Sequence, residues 1–360
     1  MSVEVALEID KAGNGKWEEY KKLKVNGYSY HIFPEDFDAA WIRIKSFGNC
    51  TMTAYFHQAD KKYHKHDRKL FKGLADVGSK NVSSALVYAA KRNRNLRVIY
   101  GKKYYDFTKT GFEFKKDQPD EKLKKLLTVH PEFSVDEASV IVKNYGKTIR
   151  LPKGDKIYDK PFKGGWPRAV RELESERELA NIHGTFYELP LLSIIGREAD
   201  FSKLRPVSSH SKQITDFATW NGLLVLAGVD LDAKNDEHVY KSKEGDTALW
   251  FGGIDDLWKL GKPVGTGGPW KDTAVKAGKA SDPYLMTGYD RKTVKMTADK
   301  DVKITLEVDI DHQSGYHEYK TFEVKAGETV EHEFEEGYSA HWVRAVADKG
   351  CKATVWFVYE

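Results

Sequence analysis

The chain is poor in cysteine and methionine, with two and four in 360 residues, and it has no run of about 18 apolar residues. So few cysteines exclude a disulfide framework or a paired-cysteine metal centre as the basis of the fold. The missing apolar run excludes a transmembrane helix. Ser2 to Asp10 alternates polar and apolar residues like a strand and lacks the charged start and apolar block of a signal peptide. The expectation is a soluble cytoplasmic product with no membrane partner. A net charge of +4 is too small to imply nucleic acid, which needs concentrated charge, yet it suits an anionic ligand. No Gly-x-Ser-x-Gly motif occurs. Gly265-Thr-Gly-Gly268 is not a dinucleotide loop, because Pro269 and Trp270 follow where a helix should start.

What the chain does have is aromatic and turn residues: 12% Phe, Trp and Tyr, and 29 glycines. With many Val, Thr and Ile, this is the composition of strands joined by tight turns. Val3-Glu-Val-Ala-Leu-Glu-Ile-Asp10 lines up with Val302-Lys-Ile-Thr-Leu-Glu-Val-Asp309. The match continues through Glu19-Tyr20-Lys21 on Glu318-Tyr319-Lys320, and His31 and Phe33 on His332 and Phe334. It then runs through Trp41, Arg43 and Cys50 on Trp342, Arg344 and Cys351, to Tyr55-Phe56 on Trp356-Phe357. Each copy reads as about five strands. In each, the Trp is expected to fill the core and the Arg two residues on to cover the edge. Cys50 and Cys351, at matching places in separate modules, are expected to be buried free thiols.

Between the copies, strand pairs recur at about fifty-residue spacing, the period of four-stranded propeller blades. They include Ser84–Tyr88 with Leu96–Tyr100, Ser139–Lys143 with Thr148–Leu151, and Ile214–Ala218 with Leu223–Leu226. Ser242 to Trp250 resembles the Asp-box turn of propeller hairpins. The expected fold is therefore all-β: a propeller-like centre (59–300) of four-stranded blades, flanked by two homologous β-sandwich-like modules (1–58 and 301–360). Glu121–Leu127 has helical composition. The stretch from Arg168 to Ala180 reads either as a helix or as an extended pair. Basic runs at Lys61–Lys72 and Lys91–Arg97 read as solvated hairpin tips.

For chemistry, the most informative stretch is Asn181-Ile-His-Gly-Thr-Phe-Tyr-Glu-Leu-Pro190. Strand alternation puts Asn181, His183, Thr185 and Tyr187 on one face, and Gly184 leaves room for something to approach the backbone. His183 and Tyr187 are candidate proton-transfer partners. Arg205 supplies a planar fork for a carboxylate, and His210 and Trp220 complete a candidate substrate-binding set. The alternative is a buried His and Tyr that satisfy backbone groups. His64-Lys-His66-Asp67 as a metal site, and Asp230, Asp232, Asn235 and Asp236 as a calcium loop, are weaker patterns than solvated turns, so no protein metal ligand or cofactor is assigned.

The strings His183-Gly-Thr-Phe-Tyr-Glu-Leu-Pro190, Leu204-Arg-Pro-Val207, Ile214-Thr-Asp-Phe217, Asp255-Asp-Leu-Trp-Lys259 and Ser281-Asp-Pro-Tyr-Leu-Met-Thr-Gly288 resemble the C-terminal part of large bacterial β-propeller proteins. Some of these are similar to polysaccharide lyases that cleave rhamnose from glucuronate. The resemblance spans about residues 60 to 360. It implies His183 and Tyr187 as acid and base, Arg205 and then His210 on a uronate carboxylate, and room for a metal on the propeller axis. The expected function is thus action on a uronate-containing, anionic glycan, by β-elimination if the protein is an enzyme. Its rival is a non-catalytic propeller scaffold that binds glycan or protein and associates through its end modules. The chain is shorter than seven blades of about fifty residues would require.

Overall fold

The computed structural model describes residues 2–57, 66–90, 95–172, 178–189, 201–234 and 236–360. The fold is all-β. Helix among these residues is confined to short segments such as Glu121–Leu127 and Leu257–Leu260, and no described helix is long and apolar enough to cross a membrane.

The central region contains three four-stranded antiparallel sheets. One four-stranded sheet runs Leu86–Ala90, Asn95–Tyr100, Lys103–Thr108 and Glu113–Lys116. A second runs Val170–Glu172, Glu178–Ile182, Thr185–Leu189 and Arg205–Ser209. The extended reading of Arg168 to Ala180 is therefore the observed one. The third has the order Phe217–Trp220, Leu223–Leu226, Ala248–Gly252 and Val239–Lys241. The Asp-box-like segment forms the turn between the last two of these, with Ser242 N–H donating to Thr247 O at 2.7 Å.

The first strands of the three sheets meet around Asp216, whose side chain is fully buried. Its Oδ1 accepts from Arg168 Nε at 2.6 Å and from Arg171 Nη2 at 2.9 Å, and its Oδ2 accepts from the Val87 N–H at 2.9 Å. Arg168 also donates to Leu127 O at the end of the helix, and Arg171 to Val87 O. The sheets are thereby tied at their inner edges, where bare backbone would otherwise be exposed to a dry core. Two guanidiniums thus neutralise the Asp216 carboxylate.

The repeat is visible in the pairing. In the N-terminal copy Val3–Asp10 lies between Glu18–Val25 and Trp41–Ser46; in the C-terminal copy Val302–Asp309 lies between His317–Val324 and Trp342–Ala347. Val3 pairs with Val25 as Val302 pairs with Val324, and the bulge after Leu7 recurs after Leu306. Arg43 Nε donates to Glu8 across the strands at 2.6 Å, and Arg344 Nε to Glu307 at 2.6 Å. Each guanidinium lies over an aromatic ring, Trp17 at 4.1 Å and Tyr316 at 4.0 Å.

The two copies differ in what surrounds them. The C-terminal three strands continue through Tyr284–Leu285 into Lys147–Leu151, Val140–Asn144 and Ser134–Val135 as one seven-stranded sheet. Its facing sheet has the order Gly265–Val275, Cys351–Tyr359, Lys292–Ala298 and Thr329–Glu333. This sandwich takes strands from before residue 301, so a cut there would fall inside both sheets. Among the described residues the N-terminal copy has its three-stranded sheet alone. As a result Trp342 is buried, its indole N–H donating to Ser202 O at 2.9 Å, whereas Trp41 is 63% exposed. Trp41 therefore does not fill a core as its repeat partner does. Cys351 is buried but Cys50 is an exposed free thiol, which corrects the expectation for that residue.

Replacing Asp216 with Ala removes the acceptor shared by two guanidiniums and by the Val87 and Phe217 N–H groups. The expected cost is about 3–5 kcal/mol of folding stability, to be read from urea unfolding beside an exposed control such as Glu328→Ala.

Candidate functional site

His183 and Gly184 form a two-residue hairpin turn, with φ of 52° and 81°, between the strands Glu178–Ile182 and Thr185–Leu189. Both central residues at positive φ suit the right-handed twist of the flanking strands. The chain reverses here, so the alternation that would place Asn181, His183, Thr185 and Tyr187 on one face does not hold. Asn181 pairs with Phe186, and Ala180 pairs with Tyr187. Directly paired residues share a face, so Asn181 and Tyr187 point to opposite sides of the sheet.

Gly184 does admit a close neighbour, and it is the protein's own. A Cβ there would lie 2.5 Å from the Tyr158 ring and 3.1 Å from His210 O. Tyr158 sits in the 3-10 turn Lys156–Asp159, capped by the Asp155 side chain on the Ile157 N–H at 2.8 Å. That turn brings Asp159 to the histidine. The buried His183 ring accepts from the Gly154 N–H on Nδ1 at 2.9 Å, which places its proton on Nε2, 2.9 Å from Asp159 Oδ1. Burial lowers the His183 pKa, with Asp159 opposing. The imidazole is neutral and both of its nitrogens are engaged.

Of the other expected site residues His210 lies beside this turn, its N–H donating to Gly184 O at 2.7 Å, and the rest lie elsewhere. Tyr187 is fully buried against the core that also holds Tyr284 and Tyr289, and burial raises its phenol pKa strongly. It is not positioned to exchange a proton with His183. His210 is held by Asn181, its Nε2 3.0 Å from Asn181 Oδ1, and by the Lys212 N–H donating to Nδ1 at 3.2 Å. Burial, with Lys212 adding to it, pushes its pKa down to about 3. Trp220 is fully buried in the core between the first and third central sheets, with Phe107 and Phe251. Arg205 is exposed and donates to Tyr55 Oη at 2.8 Å, joining the centre to the N-terminal copy. The structure does not gather these five residues into one cleft.

It gathers a different set. Phe133, Asp136, Glu137, Lys153, Asp159 and Trp166 line an open cavity of about 390 Å³. Trp166, half-buried, meets Phe133 edge to face at 6.2 Å. The Asp136 carboxylate accepts from Arg150 at 2.7 Å and from the Ala138 and Ser139 N–H groups, which hold its pKa below the usual range despite burial. Lys153 Nζ donates to Asp136 O at 2.9 Å. Asp159 is about one-third exposed, with His183 behind it. These residues come from three separate stretches and form no motif. The only sequence signal was the density of Asp, Lys, Gly and aromatic residues around 153–166.

Of the weaker patterns, His64 and Asn235 lie outside the described residues. Asp67 caps a 3-10 turn through the Lys69 N–H, and Asp230 and Asp232 accept from Ser79 and Asn81 at 2.7 and 2.9 Å. Among the described residues no group of three His, Cys, Asp or Glu side chains could hold a metal ion.

Neither family models nor curated proteins give a match to this chain. Among solved structures it is similar to a glycoside hydrolase at 8% identity and a TM-score of 0.17, over 76% of this chain and 70% of the other. It is also similar to a glycoside hydrolase family 43 arabinoxylan arabinofuranohydrolase from Bacillus subtilis, in complex with cellotetraose. There the identity is 8% and the TM-score 0.18, over 74% of this chain and 86% of the other. Superposition at that level assigns neither fold nor chemistry.

The buried histidines carry a pH dependence. Burial lowers His210 and His341 to about 3 and His57 to about 4, from 6.5. Between those values and 6.5 the unfolded chain binds the protons that the folded chain refuses. Stability is therefore full above about pH 6.5 and falls as the pH is lowered, by up to about 1.4 kcal/mol per pH unit for each histidine. Urea unfolding between pH 8 and 5 should follow this slope, and His210→Gln should make it shallower.

Proposed function

We propose that this protein is a β-scaffold that binds a neutral glycan in the cavity between Phe133 and Trp166, without performing β-elimination. The observation that carries the reading is the composition of that cavity: an aromatic edge for the apolar face of a sugar, with carboxylates and a lysine for its hydroxyls. About 390 Å³ suits one or two sugar rings. Asp136, Glu137 and Asp159 outnumber Lys153 on its wall, so a uronate carboxylate would meet like charge, which favours a neutral ligand over an anionic one. Elimination needs a base, an acid and a carboxylate clamp on one substrate. The separation of His183, Tyr187 and Arg205 speaks against it.

A hydrolytic reading has one observation in its favour. Asp159 reaches the cavity with its other side braced by the His183 Nε2–H at 2.9 Å, as an oriented carboxylate in a sugar site would be.

Titration calorimetry against neutral and uronate oligosaccharides decides among these. Binding to a neutral member, weakened about two- to twelvefold by Trp166→Ala, is the expected result, as a lost aromatic contact of about 0.5–1.5 kcal/mol implies. Release of reducing ends, lost in Asp159→Asn, would instead establish the hydrolase. Absorbance appearing near 235 nm on a uronate glycan would establish the lyase and overturn the proposal.

A further inference from the structure

The N-terminal copy meets the rest of the chain through tyrosines at one end and imidazoles at the other. At the first, Tyr28 Oη lies 3.0 Å from Tyr338 Oη, and the Tyr30 ring meets that of Tyr338 edge to face at 4.8 Å. At the second, Arg205 donates to Tyr55 Oη at 2.8 Å, and the His57 ring donates to the Ile310 carbonyl. Among the described residues no carboxylate forms an ion pair with Arg205, His57 or the neighbouring His341; the ion pairs of the copy, such as Arg43–Glu8 and Lys11–Glu18, are internal to it.

The imidazole end gathers groups of one sign. Half-buried His57 feels Arg205 and Lys292. Lys292 is itself buried, and its Nζ donates to the Tyr289 and Tyr338 carbonyls at 2.5 and 2.8 Å, with Asp290 the carboxylate that acts on it. His341, buried, donates to the Leu204 carbonyl and feels Arg205, His57 and His312, whose ring lies 5.3 Å from its own. The carboxylates nearby, Asp309 and Asp311, are engaged in the turn that carries His312: Asp309 accepts from the Asp311 N–H at 3.2 Å, and Asp311 from the Gln313 and Ser314 N–H groups at 2.9 and 2.7 Å. The Nε2 atoms of His57 and His341 are buried without a hydrogen-bond partner among the described residues. Neither imidazole is a feature of the repeat, since His57 falls on Val358 and His341 on Ala40.

We propose that this contact is an acid-released latch: protonation of His57, enclosed with Arg205, Lys292 and His341, undocks the N-terminal copy while the rest of the chain stays folded. The neutral ring fits, because its one N–H is taken by Ile310 O. A charged ring would bury a second N–H that has no acceptor and set another positive charge beside Arg205 and Lys292. Burial first, then Arg205 and Lys292, hold His57 at about 4 against the opposing pull of the Ile310 carbonyl. In the undocked copy the ring returns to its ordinary value near 6.5, so docking is complete above about pH 6.5 and weakens as the pH falls toward 4. The tyrosine end does not change over that range, since burial raises the phenol pKa of both Tyr28 and Tyr338. The imidazole end therefore sets the pH at which the copy lets go.

The exposed Cys50 thiol supplies the test. In the full chain, the distance is measured between a spin label on Cys50 and one on Glu328→Cys, an exposed position of the C-terminal sandwich, as the pH is lowered from 7.5. The ratio of the long-distance to the short-distance population is expected to rise about thirtyfold by pH 5. His57→Gln, which can still donate to Ile310 O but takes up no proton, should keep the short distance. Tyr28→Phe, which removes the hydroxyl contact at the other end, should open at a higher pH than the wild type. A single short distance down to pH 4.5 in Tyr28→Phe overturns the proposal, as does opening of His57→Gln at the same pH as the wild type. Opening that occurs only in step with hydrogen exchange of the Val87 and Phe217 amides overturns it too, because the chain then unfolds as a whole.

Discussion

A carboxylate buried where three sheets meet is the constraint on which the rest of this structure depends. An isolated charge there would be prohibitive, so Asp216 is tolerated only because two guanidiniums and two backbone N–H groups saturate it. Those donors come from three parts of the chain. Val87 opens the first central sheet, Phe217 opens the third, and Arg168 and Arg171 lead into the second, while Arg168 also takes the helix end at Leu127. The geometry of one side chain therefore fixes how the sheets lean on one another. The stretch from Pro152 to Trp166, which leads up to Arg168, is held at its far end by this tie, and it carries Lys153, Asp159 and Trp166 of the cavity wall.

The repeat was legible because its residues recur in order, and pairing register follows residue order when the strands are the same. The bulge after Leu7 and Leu306 and the Arg–Glu pairs are consequences of matching sequences. The environment of a repeat is not encoded in the repeat. Trp41 and Trp342 are the same residue at the same register, yet only the second meets Ser202 and the strand Tyr284–Leu285. Likewise the chemistry of the centre was misassigned where a turn was read as the middle of a strand. His183-Gly184 has the turn signature of a left-handed-tolerant residue followed by glycine, and that reading alone would have separated Asn181 from Tyr187. The cavity could not be seen in advance, since Phe133, Asp136, Lys153, Asp159 and Trp166 meet only after the sheets have packed.

Burial and neutrality recur together in the histidines. His183 and His341 are buried and His210 is half-buried, and His183 and His210 accept from backbone N–H groups on Nδ1, which fixes the tautomer and leaves no proton free to move. Such histidines brace loops: His183 holds the 154–159 turn and His210 the base of the second central sheet. The same logic explains why the acid–base set expected from residue types is a set of supports, while the groups open to solvent are carboxylates, a lysine and aromatic edges.

The Val87 and Phe217 amides both donate to Asp216 from separate sheets, so their hydrogen exchange tests most directly whether that residue unites the centre. Both amides should exchange at one common rate, among the slowest in the molecule, that tracks global unfolding as urea is added. Exchange at clearly different rates, with one sheet opening while the other stays closed, would contradict the account.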